Sequence, residues 1–337
     1  MTNPRTDGAT SMKQSEDMLY KTAVEPQESA APTVSVVIPV YNSQDSLEEL
    51  CSRIDRTFAG LDFNYEIILV DDSSKDDSWK VLKQLREEYG GRVKIVQLMR
   101  NFGQHNALMC GFHYASGEYV VTMDDDLQNP PEEIPKLIDK IQEGYDCVIG
   151  ALETKQDSSI KKLGSQMIRY LNTRIFDKPK DLKLSTFRIA TKAVTDEIKG
   201  MKTPYPYISG MLLSVTRNIA NVTVRHDQRK YGQSTYTFKK LIVLAFNLII
   251  NYTALPLRAL ALFGIVISIC SFCMGVYFIA KKLLVESIVP GWTSVVVLLS
   301  FFNGILLAIL SIMGEYFARI IGEVSNRQQY TVREKHL

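Results

Sequence analysis

Between residues 34 and 149 the chain alternates short apolar, β-branched runs with amphipathic stretches. Runs at 34–40, 65–70, 93–99 and 119–123 read as buried strands, with 145–149 a weaker fifth. Continuous Val/Ile-rich runs bounded by turn residues suit strands covered on both faces. Between them, 45–58, 76–89, 104–115 and 132–143 carry apolar residues at helical spacing. This βαβαβαβα order predicts an α/β fold with a mostly parallel sheet and helices on both sides. One helix start can be read in detail. Asn129 suits an N-cap, a proline follows at the first helical position, and Glu132 and Glu133 complement the dipole. The helix is thereby pinned directly after Asp124-Asp125-Asp126.

Further along, the pattern changes. Residues 259–280 form a run of 22 without Asp, Glu, Lys or Arg, and 287–314 a run of 28. The first is about 33 Å long as a helix, against a hydrocarbon core of about 30 Å. Transmembrane helices are therefore expected at 259–281 and 290–314. Residues 239–258 are apolar but interrupted by Asn247, Asn251 and Pro256 and bracketed by Lys239, Lys240 and Arg258. That pattern predicts a juxtamembrane amphipathic helix in the interface. The remaining division is a polar, disordered segment at 1–33 without a secretory signal, a catalytic domain at 34–238 and a C-terminal tail at 315–337. Cations flank the apolar pair on both sides, at Lys239, Lys240 and Arg258 and at Arg319, Arg327, Arg333 and Lys335. The positive-inside rule then places the domain and both termini in the cytoplasm of a multi-pass protein of the cell inner (plasma) membrane. Lys281 and Lys282 oppose this, but their stems can snorkel. Asn303 and Gly304 mark a helix contact that would suit a homo-oligomer.

These runs explain why the averages mislead. The 337 residues are 46% apolar and 23% charged with a mean hydropathy of −0.04, which resembles a soluble chain of two domains. Residues 259–337 hold six Lys/Arg and four Glu, so the net +2 belongs to them and residues 1–258 balance at 33 against 33. A nucleic-acid-binding domain would carry a basic excess, so nucleic acid is not an expected partner. The local +4 of residues 151–183, eight Lys/Arg against four Asp/Glu, is of the kind a solvated face carries. Cys51, Cys110, Cys147, Cys270 and Cys273 show no paired spacing in the soluble part, as expected in a reducing compartment. Cys270 and Cys273 form a CxxC inside an apolar run, which reads as membrane packing.

Ligands of open α/β sheets bind outside the carboxyl ends of the strands, near a switch in strand order. The first strand ends in Pro39-Val40-Tyr41-Asn42, without a Gly-x-Gly-x-x-Gly turn, and no Walker lysine motif is present. A nicotinamide dehydrogenase and a P-loop kinase are thereby disfavoured. The second strand ends in Asp71-Asp72-Ser73-Ser74 and the fourth in Asp124-Asp125-Asp126-Leu127-Gln128. Asp71 and Asp72 alone could be turn formers. Three successive aspartates repel one another unless a cation compensates, and Asp124, Asp126 and Gln128 could approach one hard ion, Mg²⁺ or Mn²⁺, completed by substrate phosphates. Such an ion would neutralise the charge on a departing diphosphate.

Residues 36–42 (VVIPVYN), 70–74 (VDDSS), Asn101-Phe102-Gly103-Gln104 and 124–132 (DDDLQNPPE), joined by 229–236 (RKYGQSTY) and the two apolar runs, together resemble family 2 glycosyltransferases of GT-A fold, in the polyprenyl-phosphate glycosyltransferase group. The resemblance spans about residues 34–330. It implies transfer of one sugar from a nucleotide sugar, UDP-linked by preference, to undecaprenyl or another polyprenyl phosphate, with inversion, at the cytoplasmic face of the lipid bilayer. The product would serve cell-envelope glycan or lipopolysaccharide modification. By the same resemblance, Pro39, Tyr41, Asn42, Asp71, Asp72, Asn101, Gln104 and Asp125 would bind the nucleotide sugar. Asp124, Asp126 and Gln128 would hold the metal. Arg188, Arg229, Lys230 and Ser234 would take donor or acceptor phosphate, a task suited to the arginine fork. Asp126, Asp157 and Arg188 are the catalytic candidates.

A phosphate monoester has its second pKa near 6, so the lipid acceptor is largely a dianion already and needs alignment and screening more than a strong base. Asp157 is a candidate carboxylate of the loop, or an ordering partner for Lys161 and Lys162. His105 and His113 are expected to serve packing and capping. Two departures from the family pattern stand out. Ser43 occupies a position where the family frequently has an acid, and residues 205–210 lack an Arg-containing pattern associated with glucosyl transfer, which leaves the sugar open. Two competing readings are a processive membrane polysaccharide synthase and a non-catalytic membrane adaptor. The first should carry Gln-x-x-Arg-Trp, whereas Trp79 and Trp292 are not preceded by Arg. The second gains nothing from the repulsion within the acidic triplet.

Overall fold

The computed structural model describes residues 33–152, 170–203, 205–227, 249, 253, 255–284, 291–324 and 328–337. The expected alternation is present. Strands β1 (Thr33–Val40), β2 (Asn64–Asp71), β3 (Val93–Leu98) and β4 (Tyr119–Thr122) alternate with helices α1 (Leu47–Phe58), α2 (Ser78–Tyr89), α3 (Gln104–Tyr114) and α4 (Ile134–Ile141). The chain continues through β5 (Cys147–Leu152), β6 (Arg188–Thr191), α5 (Lys192–Gly200), α6 (Ile208–Val215) and β7 (Ile219–Val224). Two long helices, α7 (Leu255–Leu284) and α8 (Trp292–Val324), precede a last strand, β8 (Val332–His336).

One sheet holds all eight strands in the order β7-β5-β6-β4-β1-β2-β3-β8. β4, β1, β2 and β3 run parallel, whereas β6 lies antiparallel between β4 and β5. The chain adds β2 and β3 on one side of β1 and then crosses to place β4 on the other. The switch in strand order therefore falls between β1 and β4. Successive residues of β1 serve opposite faces, as the period of two requires. Val36 and Ile38 pack with Leu50, Ile54, Leu82 and Leu137 from α1, α2 and α4. Val37 packs with Leu108, Val194 and Met211 from α3, α5 and α6. At Gly111, α3 lies directly on β1, and an added Cβ would overlap Val37 Cγ1.

Three expectations need correction. The helix after the acidic cluster does not start on an Asn129 cap. A 3₁₀ turn, Pro131–Glu133, leads into α4, and Asn129 is buried with its Oδ1 unpartnered. Pro131 and Pro135 withhold two N–H groups where a cap would act. Second, β6, α5, α6 and β7 rise from a stretch with little readable periodicity, because β6 is only four residues long. Third, residues 315–337 are not simply a tail: α8 runs on to Val324, and β8 then pairs antiparallel with the outer edge of β3. The strand Val-Arg-Glu-Lys-His carries the charges typical of a protected sheet edge, so it has no apolar signature. Met99 N donates to Thr331 O at 2.8 Å, Arg333 Nη2 donates to Met99 O at 3.0 Å, and Lys83 pairs with Glu334 at 2.8 Å.

Helices α7 and α8 have 30 and 33 residues, or about 45 and 50 Å. α7 contains the uncharged run 259–280, and α8 contains residues 292–314 of the second. Among the described residues one window, Phe301–Ala318 in α8, is long and apolar enough by composition to cross a membrane. Phe263, Ile269, Leu307 and Leu310 leave large apolar side chains exposed on these helices. Of the expected amphipathic segment at 239–258, residues 249, 253 and 255–258 are described, the last four as the start of α7, and the rest lies outside the described residues, as does 1–32. The five cysteines are free, three of them buried in the domain.

At the end of the sheet remote from the site, Glu66 joins three strands. Its Oε1 accepts from Ser35 Oγ (2.6 Å), Ser116 N (2.7 Å) and Ser116 Oγ (2.8 Å), and Lys94 Nζ stands 2.6 Å from Oε2. Burial opposes its charge, but these donors prevail and hold its pKa below the ordinary value. Because the folded value is the lower one, the stabilisation is complete above the unfolded pKa of about 4.3 and is lost as pH falls through the folded value. Glu66→Ala is expected to cost about 2 kcal/mol at pH 7, and the difference from wild type should shrink in urea titrations as pH drops below about 4.

Candidate active site

The site forms where the loops after β1, β2, β3 and β4 meet. The first two are laced together by side chains on backbone. Asn42 N donates to Ser74 Oγ (2.9 Å), Lys75 N to Asn42 Oδ1 (2.8 Å), Ser43 N to Ser78 Oγ (2.9 Å) and Asp77 N to Gln44 Oε1 (2.8 Å). Asn42, Ser73 and Leu127, one in each loop after β1, β2 and β4, have φ of 54°, 60° and 59°. Left-handed backbone outside glycine is costly and is retained where surrounding contacts enforce it. For Leu127 the enforcement is burial of its side chain in the core.

Asp71 and Asp72 end β2 fully committed to this framework. Asp71 Oδ1 accepts from Ser74 N and Oδ2 from Gln97 Nε2, each at 3.0 Å. Asp72 receives Phe102 N on Oδ1 (2.7 Å) and Gly103 N on Oδ2 (2.8 Å). Burial raises the pKa of Asp72 against those two donors. The Asp72 carboxylate thus fixes the turn from β3 into α3, where Gly103 has φ 91° and exposed Asn101 and Gln104 are presented.

The acidic triplet divides by alternation. Asp124 Oδ1 accepts from Gln104 Nε2 (2.6 Å) and Oδ2 from Thr186 Oγ1 (2.7 Å). Asp125 turns to β1, where Oδ2 accepts from Tyr41 N (3.2 Å) and Ser43 Oγ (2.5 Å). Asp126 Oδ1 accepts from Gln128 N at 3.1 Å. Burial, and then the charge of Asp126, raise the pKa of Asp124. Burial also pushes Asp125 up to about 7, against the Ser43 and Tyr41 donors. The contact at Ser43 gives its departure from the family pattern a physical reading: a hydroxyl can donate to Asp125 where a second carboxylate would repel it.

Arg188, at the start of β6, is 2% exposed. Its Nε reaches Thr122 Oγ1 at 3.3 Å and its Nη1 Ser209 Oγ at 3.2 Å, while the buried Nη2 has no partner. Burial lowers its pKa, and the Asp124 charge is among those that oppose the shift. On the other side of the triplet, Gln128 Nε2 stands 3.4 Å from His226 Nε2, and Asp227 N donates to Gln128 O at 2.9 Å. The end of the described stretch after β7 is therefore bonded to the acidic loop. Pro39 is buried in β1 and Tyr41 is exposed beyond it. Asp157, Arg229, Lys230 and Ser234 lie outside the described residues. His113 behaves as a packing residue, its Nδ1 2.9 Å from both Met109 O and Tyr330 Oη. Thr186, Tyr207, Ser209 and His226 belong to the site but carry no motif of their own. Thr186 could have been found through its place two residues before Arg188.

Among the described residues no three His, Cys, Asp or Glu side chains already form a metal cage. The donor set of Asp124, Asp126 and Gln128 is nevertheless all-oxygen with two carboxylates whose charges oppose one another. It fits a hard cation that keeps part of its shell for phosphate and water.

Residues 35–198 match glycosyl transferase family 2. Over 305 residues the chain is 38% identical to undecaprenyl-phosphate 4-deoxy-4-formamido-L-arabinose transferase of Klebsiella pneumoniae (strain 342), covering 89% of this chain and 92% of the relative. It is 36% identical over 303 residues to the transferase of the same name from Proteus mirabilis (strain HI4320), with 89% and 93% covered. In fold it is similar to glucosyl-3-phosphoglycerate synthase from Mycobacterium tuberculosis, solved with Mn²⁺, UDP and phosphoglyceric acid. The TM-score is 0.50 at 20% identity, covering 66% of this chain and 77% of that one.

The anchoring role of Asp72 is testable without substrate. Asp72→Ala strands two buried N–H groups and is expected to cost about 1–3 kcal/mol. In hydrogen exchange, the amides of Phe102 and Gly103 should lose protection while those of β1 keep theirs; unchanged exchange at 102–103 would contradict the anchor.

Proposed function

The chain belongs to glycosyl transferase family 2, and from that premise we propose that it transfers a single sugar from a UDP-sugar to undecaprenyl phosphate at the cytoplasmic membrane face, with Mg²⁺ or Mn²⁺ as cofactor. The sugar proposed is 4-deoxy-4-formamido-L-arabinose, the residue named for the relatives that share 36–38% identity across nearly the whole chain. The observation that carries the reading is the convergence of the acidic triplet with the ends of β1 and β2 at the switch between β1 and β4, where α/β folds take nucleotides.

In this reading the exposed Tyr41 and the β1 and β2 loops receive the nucleoside, and Asp125 holds their edge. Asp124, Asp126 and Gln128 would hold the cation, which supplies charge neutralisation on the leaving diphosphate. Gln104 and Thr186 keep Asp124 oriented. Arg229, Lys230 and Ser234 would supply phosphate-binding groups for donor or acceptor. Asp157 is the candidate catalytic carboxylate. The lipid phosphate attacks the anomeric carbon from the face opposite UDP, so the configuration inverts. As a dianion it needs no proton removed, only alignment. α7 and α8 anchor the domain to the bilayer, where a water-soluble donor meets a lipid-bound acceptor.

Purified protein in detergent should move label from the UDP-formamidopentose to undecaprenyl phosphate with Mg²⁺ or Mn²⁺ and yield a lipid bearing one sugar. EDTA should abolish transfer, and Asp126→Ala should lower kcat/KM by about 10²-fold or more. A polymeric product, or transfer undiminished in EDTA, would overturn the reading.

A further inference from the structure

The loop after β4 meets the chain leaving β7 at two places, and at one of them stands a buried carboxylate that neither the nucleotide nor the cation accounts for. Glu133 closes the 3₁₀ turn before α4 and is 2% exposed. Its Oε1 accepts from Arg225 Nε at 2.9 Å and its Oε2 from Arg225 N at 3.3 Å, and Lys136 Nζ donates to Oε2 at 2.5 Å. A carboxylate is kept out of water only where such donors compensate it. Burial opposes the charge of Glu133, and Lys136 and Arg225 outweigh it to hold its pKa below the ordinary value. Because Glu133 takes both the backbone N–H and the guanidinium of Arg225, it fixes the main chain there and not only a side chain.

The next two residues are the ones that meet Gln128. Asp227 N donates to Gln128 O at 2.9 Å, and His226 Nε2 stands 3.4 Å from Gln128 Nε2. From the triplet side, Gln128 N donates to Asp126 Oδ1 at 3.1 Å, and the intervening Leu127 has φ 59°. Gln128 is thus placed by bonds to both of its backbone groups. With His226 Nε2 as acceptor, the Gln128 amide turns its –NH₂ to the imidazole and directs Oε1 away from the ring. Neighbouring Glu132 makes an equally close pair that leads elsewhere, accepting from Arg53 Nε at 2.9 Å and Nη2 at 2.6 Å on α1.

We propose that Glu133 is a positioning residue of the cation site, acting through Arg225 on His226 and Asp227 and through them on Gln128. This rests on the assignment of Gln128 to the cation in the proposed function and adds the residues that hold it in place. Without the clamp, Gln128 samples orientations in which its oxygen misses the ion, and affinity falls.

The test is a Mn²⁺ titration of the full chain in detergent, read by electron paramagnetic resonance. Glu133→Gln removes a negative charge and Arg225→Gln a positive one, so a long-range field would move the affinity in opposite directions. Positioning instead predicts that both variants weaken Mn²⁺ by about tenfold. Glu132→Gln, which removes the same charge one residue away, should stay within about twofold of wild type. In a Gln128→Ala background, Glu133→Gln should cost less than about twofold more, because residues that act through one another are not additive. Shifts of opposite sign, or a full further loss in the Gln128→Ala background, would overturn the proposal. If Glu133→Gln does not fold, Arg225→Gln, at a side chain 61% exposed, decides alone and in combination with Gln128→Ala. Wild type that binds no Mn²⁺ would overturn the cation assignment and the proposal together, whereas Mn²⁺ affinity unchanged by Glu133→Gln and Arg225→Gln would overturn the proposal alone.

Discussion

Three aspartates in succession at the end of one strand are electrostatically unfavourable, and the carboxyl end of the sheet is arranged around that repulsion. Alternation sends Asp125 toward β1, where Tyr41 N and Ser43 Oγ take it, and leaves Asp124 and Asp126 close enough for one charge to raise the pKa of the other. Neutral donors meet the carboxylates: Gln104 and Thr186 on Asp124, and the Gln128 N–H on Asp126. These donors are uncharged, while the charge of Arg188 lowers the pKa of Asp124 against the repulsion. The cluster's position at the switch between β1 and β4 brings the nucleotide loops to the same place.

The same logic runs through the supporting loops. Asp71 and Asp72 look like ligand-binding residues in the sequence, yet their oxygens accept from Ser74 N, Gln97, Phe102 N and Gly103 N. They act on the site through the loops they fix. Strained backbone at Asn42, Ser73 and Leu127 falls in these loops, where the lacing of side chains to backbone can offset it.

The four βα units were legible because buried parallel strands and amphipathic helices have distinct periods, and Asp124 to Gln128 were legible because adjacent like charges demand a reason. The pairing of Thr186 and Ser209 with Asp124 and Arg188 was not legible. It depends on β6 entering the sheet antiparallel beside β4, and a four-residue strand carries no period. β8 was hidden for a different reason, since an edge strand made of Arg, Glu, Lys and His resembles a solvated tail. Its contacts with Met99 tie β8 to the chain entering the loop that presents Gln104.

The division of labour within the triplet is read most directly by electron paramagnetic resonance of Mn²⁺ titrated into the full chain with and without UDP. Asp124→Asn and Asp126→Asn should each weaken Mn²⁺ binding, whereas Asp125→Asn should keep Mn²⁺ and weaken UDP. Equal effects from all three substitutions, or Mn²⁺ binding that survives both Asp124→Asn and Asp126→Asn, would contradict the account.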